Sequence, residues 1–386
     1  MTSRVEVRPE LLAWAVERSG RDPFELWTKQ MSEADYQAWL TGERRPTVRQ
    51  LQNFASKTYT PYGFLLLAEP PAESLPVTDF RRPPGEAIRP ISANLRQTVY
   101  DCQDRQDWYR GHRLLNGGER HRFVGSVELA DRPEVVGEMI ADKLGWSSQV
   151  RSGVNGWSRA LAKLRDLSEE LGILVVVSGM VGANTTRKLD PEEFKGFALA
   201  DEYAPLVSIN GVDFESAKIF TLVHELVHLW LGETGLSSLD PSSLENVAIE
   251  RWCNRVAAEM LVPTAEFADC FDPSREILGQ LDELARHFRV STQVILGRIR
   301  EVGHIGWDTY QSLVELELRK ISELPKKASG GGNFYNSKPV QLSKRFASEL
   351  IASTLEGRTP YTDAFRLLGI AKQSTFDGLA AELGVT

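Results

Sequence analysis

The sequence predicts an α+β fold, mostly helical, with an N-terminal helical domain, a central domain in which a small sheet leads into one buried helix, and a C-terminal helical domain. Three observations carry this expectation. Apolar residues recur at three-to-four spacing through most of the chain, which is the period of helices with one buried face. Three short β-branched or apolar runs, 173–177, 196–200 and 206–209, cluster in the middle of the chain and read as buried strands. Directly after the third comes Phe220 to Trp230, apolar all round apart from the pattern His224-Glu225-Leu226-Val227-His228.

The totals fit ordinary globular material. The chain has 386 residues, 42% hydrophobic and 25% charged, enough for two or three domains with real cores. A net charge of −8 argues against a dominant nucleic-acid surface. Cys102, Cys253 and Cys270 are odd in number and lack CxxC spacing, so neither a disulfide framework nor a cysteine zinc site is indicated. The N-terminus lacks the apolar core of a signal peptide, and no stretch approaches the length of a membrane span. A soluble, cytoplasmic protein without a membrane partner is expected.

In the N-terminal part, Pro9 opens a helix, a second short one runs from Pro23 to Lys29, and Ser32 and Thr47 cap the third and fourth. Short helices with short joints are the layout of a helix-turn-helix unit. The order Trp39, Gly42, Pro46, Thr47, Gln50, Leu51, Phe54, Ala55 resembles the XRE-type (repressor/Cro-like) helix-turn-helix domains. The resemblance covers the fold better than DNA binding. Ser32 to Leu40, the candidate recognition helix, carries Glu33 and Asp35 and no cation, and residues 1–82 balance 11 Lys+Arg against 11 Asp+Glu. Arg44, Arg45 and Arg49 are the only candidates for DNA contacts, and a scaffold or protein-docking role is the stronger expectation. A proline-rich strap, Pro70 to Gly85, places the domain boundary near residue 85.

Residues 91–115 read as one long helix, followed by helices over 133–144 and 154–171; His112 and His121 read as surface residues. A small sheet leading into the His-Glu-x-x-His helix is the arrangement of a zincin, in which an edge strand can pair with an extended peptide. On a helix, His224 and His228 lie one turn apart on one face, so both imidazoles can reach one metal ion while Glu225 reaches a water. A catalytic zinc takes a third protein ligand and keeps one position for water. Glu250, on the following helix, is the carboxylate candidate, and Asn254, one turn on, is placed to orient a histidine ring.

The segment FTLVHELVHLWLG with IERWCNRVAAEMLVP resembles the ImmA/IrrE family of metallopeptidases. The runs GILVVV, FKGFALAD and PLVSIN, and residues 284–305, are also similar to that family. The resemblance implies Zn²⁺ held by His224, His228 and Glu250, with Glu225 as catalytic acid/base. Trp252-Cys253 departs from the family, where Glu-Ala is common, and neither position is expected to face the metal. His287 and Tyr203 are weak candidates for stabilising an oxyanion.

The expected domains are therefore 1–85, XRE-like; 86–325, zincin-like with its core at 150–305; and 326–386, a C-terminal domain of three or four helices after the KKASGGG linker. The implied function is regulatory, zinc-dependent cleavage of a specific cytoplasmic protein such as a helix-turn-helix repressor. Two alternatives stand beside it. Fused members of the family often neighbour PIN-like toxins, so the chain can act as an antitoxin with a silent or conditional site; it can also act as an XRE-type transcriptional regulator.

Overall fold

A computed structural model describes residues 3–27, 31–72, 78–79, 91–237, 247–323 and 333–385. It divides into two compact units, Met1–Pro76 with Ala87–Tyr100, and Val77–Glu86 with Asp101–Thr386. The KKASGGG stretch and Lys29 lie outside the described residues.

In the first unit, α1 (Pro9–Ser19) starts on a proline and ends on Gly20 in the left-handed conformation. A short α2 (Pro23–Leu26) is capped by the Asp22 side chain. The third and fourth helices, α3 (Glu33–Leu40) and α4 (Val48–Lys57), each start on a capping box, Ser32 with Asp35 and Thr47 with Gln50. In each, the cap and its partner three residues on satisfy each other's backbone N–H. A 3₁₀ turn, Tyr62–Leu66, closes the bundle. Leu12, Ala15, Leu26, Met31, Tyr36, Trp39, Leu51 and Phe54 form its core, where Trp39 meets Phe54 edge-on.

The second unit contains the sheet. Its elements begin with β1 (Thr78–Asp79) and α5 (Ala93–Leu115), whose first turns, Ala93–Tyr100, belong to the first unit. There follow α6 (Pro133–Leu144), α7 (Ser148–Gly153), α8 (Trp157–Glu170), β2 (Leu174–Ser178), β3 (Gly196–Leu199), β4 (Leu206–Asn210), α9 (Glu215–Leu231), β5 (Gly235–Ser237) and α10 (Val247–Leu261). Then come α11 (Thr264–Cys270), α12 (Ile277–Phe288), α13 (Thr292–Glu301), α14 (Trp307–Glu323), α15 (Phe334–Leu342), α16 (Lys344–Leu355), α17 (Tyr361–Leu368) and α18 (Gln373–Leu383). The molecule is thus mostly helical with a small sheet, an α+β protein.

Strand order is β1-β5-β3-β4-β2, with β3 antiparallel to both neighbours and β2 parallel to β4. The three expected strands are β2, β3 and β4. The other two, β1 and β5, were not expected, because runs of two and three residues are too short to show alternation. Every residue of β3 and β4 is buried, which explains their mostly apolar sequence, Ser208 and Asn210 of β4 being buried polar exceptions. Gln106 on α5 donates through Nε2 to the carbonyls of Leu199 and Ala204, pinning the ends of the β3–β4 connection. Helix α9 lies against β3, β4, α8 and α10, and α15 lies against β2. The C-terminal helices belong to the same compact unit as the sheet.

His121 is not a surface residue. Its ring packs beside Phe123 and against Gly172, with Nε2 buried and without a hydrogen bond among the described residues. The surrounding arginines suggest exposure in the sequence, but His121 N–H donates to Glu202 O at 2.6 Å and draws the ring inward.

Candidate metal centre

Helix α9 is the centre of the main core. Leu222, Val223, Leu226, Val227 and Leu229 are each fully buried, and each such side chain stabilises the fold by about 1.5–3 kcal/mol. A helix buried on every side reads as apolar all round, which is why the polar triplet His224, Glu225 and His228 stands out within it. Gly232, at φ 77°, ends the helix, and its N–H returns to His228 O and Leu229 O. The chain at 125–127 covers the remaining carbonyls: Gly125 N–H donates to Leu229 O and Val127 N–H to Trp230 O. Phe123 stacks on Trp230 at 4.4 Å beneath this cap.

The structure brings His224, His228 and Glu250 together. The two Nε2 atoms are 3.1 Å apart; Glu250 Oε2 is 3.1 Å from His224 Nε2, and Oε1 is 3.3 Å from His228 Nε2. Their burial is nearly complete, with relative exposures of 0%, 1% and 6%. Burying ionisable groups together is costly unless they are paired or hold a cation. Glu250 Oε1 and Oε2 sit at contact distance from the rings, yet neither makes a hydrogen bond of ordinary geometry. Ligand atoms around a tetrahedral zinc stand about 3.3 Å apart when the bonds are ~2.0–2.1 Å, and the 3.1 Å between the two Nε2 atoms, with one Glu250 oxygen at 3.1–3.3 Å from each ring, is close to that spacing. The residues therefore fit a metal ion. Among the described residues, this is the one such group of three.

The electrostatics are those of a coupled cluster. Burial pulls His224 down, but Glu250, Glu225 and Asn254 together outweigh it and raise its pKa. His228 is lowered, by burial first and by His224 as well, despite Glu250. Burial pushes Glu250 up, and the two histidines more than offset this, leaving it well below the usual carboxylate range. The cluster thus favours an ionised carboxylate facing imidazoles, as a cation site requires.

Glu225 is fully buried on the same helix. A Cβ on Gly196 of β3 would stand 2.8 Å from Glu225 Oε1 and 2.9 Å from Thr221 Cγ2, so the glycine is what lets the sheet lie directly on this carboxylate. Asn254 stands beside His224; His224 Nδ1 and Asn254 Oδ1 are both buried without a hydrogen bond of ordinary geometry.

Residues 168–300 match the family model of the IrrE N-terminal-like domain, peptidase M78. The matched span is about a third of the chain and contains the sheet strands β2 to β5, α9 and α10. The centre lies within the matched span, which is consistent with a metallopeptidase. Residues 342–382, α16 to α18, match a second model, described as Domain of unknown function (DUF8813). Neither match reaches the residues before 168. No curated protein and no solved structure matches the chain.

The remaining candidates lie elsewhere. Cys253, not expected to face the metal, touches a candidate ligand ring on its other side: its Sγ lies 3.9 Å from His228 Nδ1, and burial, with Glu250 and Glu225 adding to it, pushes its thiol well above the ordinary range. Trp252 turns the other way, donating through Nε1 to Asp131 O. His287 Nε2 is held by Glu266 Oε1 at 2.8 Å, and the Tyr203 hydroxyl by Arg120 Nε at 3.0 Å. In the first unit, Arg44 is paired with Asp35 and Arg45 with Glu6, while Arg49 is exposed. The pairing of Arg44 and Arg45 offsets the charge that a phosphate contact would use.

Proposed function

We propose that the chain is a regulatory zinc-dependent endopeptidase that cleaves a specific cytoplasmic protein of the repressor type. One observation carries this reading: three buried residues with donor atoms of the catalytic-zinc type, His224 and His228 on the helix that also carries Glu225 and Glu250 on α10, bring one ligand atom each to within 4.8 Å of one another. His224, His228 and Glu250 are the proposed ligands. When bound, zinc supplies Lewis-acid polarisation of a carbonyl and eases deprotonation of water. Glu225 takes the proton from the attacking water and returns it to the leaving amine. Asn254 orients the His224 ring, and Gly196 keeps the sheet close enough to hold Glu225 in place. In this reading α1 to α4 are an XRE-like helix-turn-helix module used for docking, and α15 to α18 are part of the compact unit that holds the site.

A second reading is favoured by the burial of the centre: Glu225 and His224 have no exposed surface at all. A site so enclosed suits a binding protein, an antitoxin that neutralises a PIN-like toxin partner with its peptidase silent or conditional. The test separates the two. Purified protein analysed for metal should carry one zinc per chain, lost in His224→Ala and kept in Glu225→Gln. Cleavage of a co-expressed partner should vanish in Glu225→Gln; full protection of cells from a toxic partner by Glu225→Gln, without cleavage, would establish the binding reading. Absence of metal from both proteins would overturn the metalloenzyme.

A further inference from the structure

The two short strands that extend the sheet past β3 lie on the side of the metal centre. β3 stands directly on the candidate acid/base, since a Cβ at Gly196 would come to 2.8 Å from Glu225 Oε1. One edge of β3 is paired with β4. Its other edge turns the N–H and C=O of every second residue outward, so a further strand added there runs beside that carboxylate. The chain's own β5 is seated on this edge. It runs antiparallel to β3, with Ala198 opposite Gly235, Phe197 opposite Leu236 and Gly196 opposite Ser237. Ser237 is thus the β5 residue across from the glycine that faces Glu225. β1 adds to β5 in the same direction, Thr78 beside Gly235 and Asp79 beside Leu236.

Two further observations bear on what β5 does there. The centre is closed, with no exposed surface on His224 or Glu225. A peptide bond is attacked only when its carbonyl comes within about 3–3.5 Å of the nucleophile, so a substrate needs a way in that this arrangement denies it. The covering strands are also short. β5 has three residues and β1 two, against five each for β2 and β4. At the end away from Gly196, β5 is fastened by a side chain: Ala200 N–H donates to Thr234 Oγ1 at 2.8 Å. So short a ladder opens more readily than the elements under it, and α9 stays in place without it because α8, α10, β3 and β4 all pack on that helix.

We propose that the outer edge of β3 is a site for an extended polypeptide segment, and that β5, backed by β1, occupies it in that segment's place. The inference rests on the peptidase reading above. The chain is then latent, and displacing β5 opens the pairing edge and the Glu225 side of the centre in one step. The incoming segment is recognised first through main-chain hydrogen bonds to β3.

The test compares the full-length parent with Leu236→Pro and Thr234→Val, all loaded with zinc. β5 lies between β3 and β1, so a proline at its middle removes a ladder donor. The milder Thr234→Val removes the acceptor for Ala200 N–H and keeps the side-chain shape. Hydrogen exchange read by mass spectrometry should be at least tenfold faster within 196–200 in both variants, with 219–229 protected as in the parent. Both should lose zinc to dipicolinate at least tenfold faster than the parent. Both should also cleave β-casein, used as an unfolded probe, at least tenfold faster, and adding Glu225→Gln should abolish that cleavage. Faster exchange in 219–229 as well would make β5 a part of the core and overturn the proposal. Zinc loss or casein cleavage at the parent rate in a variant whose 196–200 segment has opened would overturn it too. Should Leu236→Pro fail to fold, Thr234→Val decides alone. A parent that binds no zinc would instead overturn the peptidase reading, and the proposal with it.

Discussion

Cys253 Sγ lies 3.9 Å from His228 Nδ1, the ring nitrogen on the side away from Glu250. Metal-binding histidines are ordinarily oriented through this second nitrogen by a carboxylate or carbonyl. A thiol is a weaker partner. Cys253→Ala should therefore cost about 1–2 kcal/mol of stability as a small buried cavity and lower zinc affinity by no more than about tenfold. Urea denaturation and competition with a chromophoric chelator measure the two effects. Complete loss of metal would show that the sulfur holds the ring far more tightly than its distance indicates.

The contact between Gly196 and Glu225 leads to a sharper expectation. A Cβ at Gly196 would come to 2.8 Å from Glu225 Oε1 and 2.9 Å from Thr221 Cγ2, below any ordinary approach. Gly196→Val should force Glu225 or β3 to move, costing about 1–3 kcal/mol of stability. In the peptidase reading it should depress cleavage by more than tenfold while leaving bound zinc at the parent level. Retained cleavage with retained metal would mean that the position of Glu225 does not matter to the reaction.

Much of this centre was legible in the sequence because helical periodicity fixes side-chain direction. His224, Glu225 and His228 share one helix and needed only i to i+4 geometry, and β2 to β4 are long enough to show as apolar runs. Glu250 was harder, since 21 residues separate it from His228; its place one turn before Asn254 on the next helix made it the candidate, and the resemblance then matched it to a ligand. Cys253 escaped because its contact depends on how α10 rolls against α9, a packing angle that no local pattern encodes. Gly196 carried no functional signal: it reads only as the first residue of a strand until the neighbouring carboxylate is known. His121 misled for a related reason, its arginine-rich neighbourhood being local in sequence while its burial comes from Gly172 and Phe123.

The far end of α10 is held by ions as well as by the buried Met260 and Leu261. Arg298 on α13 is 2% exposed and pairs with Glu259 Oε2 at 3.1 Å and Glu301 Oε2 at 3.0 Å, while Glu259 Oε1 accepts from Thr264 N–H. Removing one partner of a buried pair leaves an uncompensated charge. Glu259→Ala should destabilise the chain by about 3–5 kcal/mol, against about 0–1 kcal/mol for breaking the exposed Arg319–Glu315 pair. Chemical denaturation of both variants makes the comparison, and equal small effects would place Arg298 in contact with more water than its burial implies.

His121 gives the pH dependence a defined sign. Burial, with Arg113 and Arg345 adding to it and Asp201 opposing, pushes its imidazole down to about 4, against about 6.5 in the unfolded chain. Between these values the unfolded state holds a proton that the folded state lacks, so stability rises with pH. The contribution is complete above pH ~6.5 and is lost as the pH falls toward 4. Discounted for partial exposure, it is worth about 1–2 kcal/mol. Glu169 works in the opposite sense, since burial raises it above its ordinary value and its contribution fades as the pH rises. The difference between the parent and His121→Gln isolates the imidazole from such groups. Measured by urea denaturation from pH 7 to 4.5, that difference should shrink by about 1 kcal/mol or more; a flat difference would mean that the ring charges freely in the folded state and that Gly172 and Phe123 do not shield it.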